Sequence, residues 1–339
     1  MPALLSELTT LRLGGPAARV EPAETTDELV DLVRSADAVG EPVLIVGGGS
    51  NLVVSDDGWP GVVVLLRTNQ LDTRRVADEV HVTAAAGVVW DDVVAASVAD
   101  GWSGLAAMSG IPGMAGATPV QNVGAYGTEV ADVLHSVDVL DRQTGAVETW
   151  GAERCGFGFR TSAFKHTDRY VVLSVTFHMP RSEDAPPIRY LELARRLGVE
   201  QGDRAPSRDV RDVVLELRRS KGMLLDSDDH DTWSVGSFFV NPFVAADLVP
   251  EGCPHWEVDG EVKLSAAWLI ENAGFYKGFA LDRPDSHVGL STKHALALTN
   301  RGGGTTAELL AVAREIRDGV EARFGVRLRP EAHLIGVTL

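Results

Sequence analysis

Residues 101–127 run without a single charged side chain, and the run holds seven glycines and two prolines. It is long enough to cross a bilayer, but glycine and proline at this density favour loop over a lipid-facing helix. It is also too apolar for a disordered segment. Long unstructured loops inside compact domains are usually functional. Small side chains in Ser109-Gly110-Ile111-Pro112-Gly113 and in Gln121-Asn122-Val123-Gly124-Ala125-Tyr126-Gly127 let a large flat ligand lie against backbone. A plain glycine-rich surface loop is the competing reading.

Two further stretches share this character. Pro42 opens the apolar run Val43–Val46, read as a buried strand, and Gly47-Gly48-Gly49-Ser50-Asn51 follows directly. Consecutive glycines let backbone N–H groups converge into an anion-binding nest, with Ser50 and Asn51 as side-chain donors. A tight strand–loop connection is the alternative. Later, Gly236-Ser237-Phe238-Phe239-Val240-Asn241-Pro242 places a serine beside glycine and two aromatics. On its own this stretch reads as a plain strand end ahead of a pocket.

Composition bounds the rest. The 339 residues are 45% hydrophobic and 23% charged, which fits a globular chain of two or three domains. Thirty-one basic against 48 acidic residues leave −17, which disfavours nucleic-acid or anionic-membrane partners but not a local pocket for a small phosphate ligand. Cys155 and Cys253 form no disulfide framework and no zinc pattern, so a reduced cytosol and no metal are expected. The N-terminus lacks a signal-peptide pattern. No G-x-G-x-x-G, Gly-Lys pair, G-x-S-x-G or H-E-x-x-H is present.

Periodicity predicts an α+β chain. Thr25 and Glu28 form a capping-box pattern that opens a helix running to Gly40. Strands are expected at 62–66, 79–85 and 170–179, with a hairpin of 133–140 and 146–150. Residues 88–100 read as a helix with Trp90, Val93, Val94 and Val98 on one face. Polar, proline-rich text at 181–187 marks a boundary. Helices are expected at 190–197, 210–219 and 264–272, and a strand at 233–241. Thr305 and Glu308 repeat the capping-box pattern before a helix that ends at Gly325.

Taken with Thr9–Gly15, Gly156–Lys165 and Arg329–Gly336, these blocks, in this order, resemble the UDP-N-acetylenolpyruvoylglucosamine reductase family over nearly the whole chain. The resemblance implies a two-subdomain FAD-binding fold of the vanillyl-alcohol-oxidase/PCMH type plus a C-terminal α+β substrate domain. It divides the chain into 1–68 and 69–185 for FAD, 186–325 for substrate with a tyrosine-loop segment, and 326–339 returning to the active site. It implies non-covalent FAD, held by Gly47, Gly48, Gly49, Ser50 and Asn51 at the pyrophosphate. Ser109, Gly110, Ile111, Pro112 and Gly113, with Gln121, Asn122, Gly124, Ala125, Tyr126 and Gly127, would surround the flavin and its ribityl chain.

The implied reaction uses NADPH as reductant and adds hydride to C3 and a proton to C2 of the enolpyruvyl ether of UDP-N-acetylglucosamine, giving UDP-N-acetylmuramate. Arg160 matches the arginine that would stabilise charge on the carboxylate, Glu331 a glutamate beside it, and Ser237 the proton donor. A glutamate there calls for a raised pKa. Tyr190, Arg218, Lys221 and Asn241 match substrate contacts. His294 stands where some relatives carry glutamine, and the acidic 226–231 stretch reads as a solvated loop. A cytoplasmic monomer in peptidoglycan precursor synthesis follows, and with it roles in cell wall biogenesis, cell shape, cell cycle and cell division. Another FAD oxidase of the same fold, or a non-catalytic flavin or sugar-nucleotide binding protein, is the alternative.

Overall fold

The computed structural model of the chain describes residues 3–258 and 260–339. Six helices are used below: α1 Thr26–Ala38, α2 Trp90–Ala99, α3 Leu191–Leu197, α4 Ser207–Ser220, α5 Ala266–Asn272 and α6 Thr306–Phe324. The chain divides into two compact units, each assembled from separated segments. One comprises Met1–Ala17, Gly49–Trp59 and Ser220–Leu339; the other comprises Ala18–Gly48 and Pro60–Arg219.

The second unit is built around two larger sheets. Val43–Val46 pairs in parallel with Trp59–Leu66, which also borders Ala17–Ala23. The capping box of α1 is present with both of its bonds, between Thr25 and Glu28. Leu29, Val30 and Val33 of this helix pack with Val43, Val62 and Val64. The larger sheet is antiparallel in the order Ala146–Gly151, Leu134–Asp141, Tyr170–Pro180, Glu79–Ala85, Leu71–Val76. Its buried face, including Val82, Val137, Val175 and Phe177, meets Trp90, Val93 and Val94 of α2. Helices α3 and α4 form a satellite core through Leu193, Val210, Val214 and Leu217. Alternation and helical spacing thus place these elements where the sequence expects them.

The first unit is less regular. Its core joins Leu11, Leu13 and Val53 to Leu269, Ile270, Leu309, Ile316 and Val320. Leu52–Val54 pairs in parallel with His333–Ile335. The N-terminus of α6 is met by Asp56, whose carboxylate accepts the N–H groups of Thr306 (2.8 Å) and Ala307 (2.9 Å). A carboxylate at a helix N-terminus contributes up to about 2 kcal/mol. Thr305 accepts the Glu308 N–H as expected, but the Glu308 carboxylate turns instead to the N–H groups of His287 (2.7 Å) and Val288 (3.2 Å).

One expected element is absent. Residues 233–241 form no strand, only an isolated bridge between Phe239 and Pro330. Gly236 is left-handed at φ +73°, which interrupts an extended run. The backbone bonds of this segment also scatter rather than run along one neighbour. Trp233 accepts from Asn300, Phe238 donates to Leu296, and Val240 donates to Arg329. Aromatic and β-branched residues here mark burial, not a ladder.

Candidate active site

In the second unit the start of α2 organises the uncharged run. The Trp90 N–H donates to the Gly113 carbonyl at 3.0 Å, and its indole N–H to that of Met108 at 3.2 Å. The Asp91 carboxylate accepts the Gly110 N–H at 2.6 Å and takes two bonds from Arg211 of α4, at 2.7 and 2.8 Å. Burial works against that charge, but the bonds from Arg211 and Gly110 outweigh it and hold the Asp91 pKa below the ordinary value. Sequence reasoning missed Asp91; a carboxylate in a first helical turn beside a glycine-rich run was the available signal. Ser109 is fully buried and its hydroxyl donates to Ala106 (2.7 Å), so it shapes the loop from inside.

The two glycine loops of this unit meet backbone to backbone. A Cβ on Gly48 would stand 3.0 Å from the Gly113 Cα, and one on Gly47 would stand 2.8 Å from the Met114 Cγ. Gly110 through Met114, including Ile111 and Pro112, stays half-buried, as does Val123 through Tyr126. These residues offer backbone and small side chains to a ligand.

Residues 121–127 are built as a miniature hairpin. Gly124–Ala125 pairs with Thr128–Glu129 around Tyr126 (φ +50°) and Gly127 (φ +83°), the mirror-image turn geometry that suits a two-residue hairpin. Arg160, also left-handed at φ +53°, projects from the tight turn of Gly158 and Thr161. Its guanidinium donates to the carbonyls of Gly124 (2.7 Å) and Asn122 (3.4 Å). Asn122 is buried at φ +45°, with its amide nitrogen on Glu129 (2.8 Å) and its amide oxygen on the Ala131 N–H (3.0 Å). Strained residues of this kind cluster at functional sites, and a left-handed tyrosine and arginine cost roughly 1–2 kcal/mol each.

Tyr190, 44% exposed, meets Tyr126 edge to face at 5.5 Å. Arg218 is not the solvated end of a helix. It is buried beside the α3–α4 core while Arg219 is exposed. Burial pushes the Arg218 pKa below the usual arginine value, opposed by Tyr126 and Asp91.

In the first unit, three distant stretches come together. The Glu331 N–H donates to the Phe238 carbonyl at 2.8 Å, and the His333 N–H to the Asn51 carbonyl at 2.9 Å. Ser237, Glu331, Ser50 and Asn51 are all half-buried along this seam. Gly49 is buried at φ +58°, where a Cβ would meet the Leu8 carbonyl oxygen at 2.0 Å. Asn241 gives its amide oxygen to the Ala266 N–H at the start of α5, 2.9 Å away. Lys221, half-buried, follows the last residue of α4.

The acidic stretch is not uniformly solvated. Asp226 and Asp228 are exposed, but Asp231 is 4% exposed and Asp229 pairs with Lys293. Among the described residues no group of three His, Cys, Asp or Glu is arranged to hold a metal, and no helix is long and apolar enough to cross a membrane.

Comparison with known proteins decides the family. An FAD binding domain model matches residues 16–151, and the C-terminal domain model of UDP-N-acetylenolpyruvoylglucosamine reductase matches 228–335. The reductase of Thermobifida fusca is 53% identical over 99% of this chain and 97% of its own length. The chain belongs to the UDP-N-acetylenolpyruvoylglucosamine reductase family.

The reductase of Saccharopolyspora erythraea is also 53% identical, over 99% of this chain and 95% of its own length. The crystal structure of the reductase from Thermus caldophilus, at 24% identity, shares the fold with a TM-score of 0.69, covering 99% of this chain and 98% of that one. The expected α+β FAD-binding fold with its C-terminal domain is therefore the one present. The chain is an NADPH- and FAD-dependent oxidoreductase that reduces UDP-N-acetylglucosamine enolpyruvate to UDP-N-acetylmuramate. Its residues fit FAD. In the second unit, glycines let two loops approach without side chains between them, as a flat dinucleotide with a pyrophosphate requires.

Proposed function

We propose that in this reductase Ser237, Glu331 and Arg160 carry the chemistry on the enolpyruvyl group. FAD, when bound, supplies the hydride that reaches C3. Ser237 then gives its hydroxyl proton to C2, so that a hydride and a proton together saturate the double bond. The Ser237 oxygen regains a proton from a neighbour or water. Arg160 meets the negative charge that grows on the carboxylate, and Glu331 hydrogen-bonds the same developing anion. The observation that carries this reading is the bond from the Glu331 N–H to the Phe238 carbonyl, 2.8 Å, which joins the backbones that carry the acid and the hydroxyl.

Cofactor contacts fall to Gly47–Asn51, Ser109–Gly113 and the 121–127 hairpin, where Ser109 and Asn122 serve by shaping the backbone. FAD is held non-covalently. Tyr190, Arg218, Lys221 and Asn241 serve the substrate within a division into 1–68, 69–185, 186–325 and 326–339. The enzyme acts as a cytoplasmic monomer, without nucleic-acid or membrane partners, in peptidoglycan precursor synthesis, and so in cell wall biogenesis, cell shape, cell cycle and cell division.

The test is Ser237→Ala under anaerobic stopped-flow. Reduction by NADPH keeps nearly its full rate, and reoxidation by the enolpyruvyl substrate slows by more than the roughly 10²–10⁴ usual for an acid–base group. A near wild-type reoxidation rate with substrate bound would remove Ser237 from this role.

A further inference from the structure

A hydroxyl that donates a proton must be held to a fraction of an ångström, because misplacement by about 1 Å can cost about 100-fold. Ser237 sits in an irregular segment with no ladder to hold it. Its support comes from outside. On the C-terminal side, Phe238 and Val240 bond to Leu296, Arg329 and Glu331. On the N-terminal side, the Thr10 hydroxyl donates to the Ser234 carbonyl at 2.7 Å, and the Asn300 N–H to that of Trp233 at 3.1 Å.

The anchor ahead of these is Asp231. Its buried carboxylate accepts the Thr292 N–H at 2.8 Å, the Thr292 hydroxyl at 2.5 Å and the Arg301 guanidinium at 2.6 Å. Thr292 and Arg301 follow the two strands of one hairpin, Val288–Leu290 and Leu298–Asn300. One carboxylate therefore ties the turn end of that hairpin and, through the long Arg301 arm, its open end to the start of the Ser237 segment. Leu296 and Asn300, which bond directly to the segment, belong to the span so fixed. Burial disfavours the Asp231 charge, but the bonds from Thr292 and Ser291 and the nearby Arg301 outweigh it, leaving a pKa below the ordinary value. Asp229 with Lys293 adds a second tie to the same turn.

We propose that Asp231, through Thr292 and Arg301, is the positioning residue for Ser237, setting where its hydroxyl points without touching substrate itself. The inference rests on the reading of Ser237 as proton donor. It makes the acidic stretch part of the proton-delivery apparatus.

The test is a double-mutant cycle on the two half-reactions. Asp231→Asn, which keeps shape and removes charge, slows reoxidation by the enolpyruvyl substrate about 100-fold. It leaves reduction by NADPH within about twofold, and it raises the solvent deuterium isotope effect on reoxidation. In a Ser237→Ala background the same change costs less than about threefold more, because both act through one hydroxyl. Arg301→Lys, which retains a cation, gives an intermediate loss, and Thr292→Val carries the test should Asp231→Asn fail to fold. Equal loss in both half-reactions, or full additivity with Ser237→Ala, overturns the positioning role. An impaired Ser237→Ala beside an unimpaired Asp231→Asn overturns this inference alone; an unimpaired Ser237→Ala overturns the reading beneath it.

Discussion

Arg160 grips the carbonyl of Gly124 at 2.7 Å from a backbone position that few arginines adopt, φ +53°. The contact makes Arg160 part of the 121–127 hairpin. Arg160→Ala is expected to weaken FAD binding about 10-fold, the loss of roughly one charged hydrogen bond. At saturating FAD it slows reoxidation by the enolpyruvyl substrate far more than reduction by NADPH. Arg160→Lys restores charge but not the two-point grip, so it recovers only part of the rate. FAD titration by fluorescence and separate half-reaction kinetics check both; equal damage to the two halves would reduce Arg160 to a loop brace.

Gly49 and Gly40 share a left-handed backbone but not a neighbourhood. A Cβ on Gly49 would meet the Leu8 carbonyl oxygen at 2.0 Å, whereas one on Gly40 meets nothing within 4 Å. Gly40→Ala is expected to cost about 1 kcal/mol, the bare conformational penalty. Gly49→Ala adds a backbone collision and costs on the order of 3 kcal/mol or more. Thermal melts of the two variants, recorded side by side, should separate clearly; coincident melts would contradict the packing described here.

The Asp141 carboxyl takes two bonds from Arg169, at 2.9 and 2.6 Å, which hold its pKa at about 2. The ordinary aspartate value is about 3.9. A pKa depressed on folding stabilises the fold fully above the ordinary value and loses that contribution as pH falls from about 4 toward 2. Asp141→Asn should therefore melt lower than the wild type by a constant margin at pH 5–7, and the margin should shrink below about pH 4. A margin that does not change with pH would dismiss the ion pair as the cause.

Both cysteines are buried, and burial pushes the Cys155 thiol up to about 11 and the Cys253 thiol in the same direction. Only the thiolate attacks a disulfide reagent. The native protein at pH 8 should leave both thiols unlabelled, and denaturant should release both. Fast labelling of either in the folded state would show an opening that the packing does not provide.

Much of the second unit was legible because its signals are local. The Thr25 and Glu28 pattern forms the full capping box, and Trp90, Val93 and Val94 bury the expected face of α2. The first unit defeated the same reading at 233–241, where the backbone partners are Leu296, Asn300, Arg329 and Glu331. No local pattern encodes partners so scattered. Glu308 shows the limit at one residue: its spacing promised a reciprocal cap, and the Val288 strand outbid the Thr305 backbone for its carboxylate. Asp91 escapes notice, and Asp231 reads only as part of a solvated acidic loop, because one acidic residue among 48 carries no mark of burial in sequence.

The parallel pairing of Leu52–Val54 with His333–Ile335 has a consequence for biosynthesis. A ribosome delivers Leu11, Leu13 and Val53 early, but their core partners, from Val235 to Ala332, emerge only after Arg219 closes the other unit. The unit of Ala18–Gly48 and Pro60–Arg219 can close while translation continues, whereas the Gly49–Trp59 excursion must wait as an unpaired apolar loop. Its strand partner, His333–Ile335, arrives about 280 residues later, so the chain carries its own delayed step, and loss of the last dozen residues would leave that loop without a seat. Arrested nascent chains probed by protease should be cut within 49–59 until the C-terminus is released, and early protection there would refute the delay.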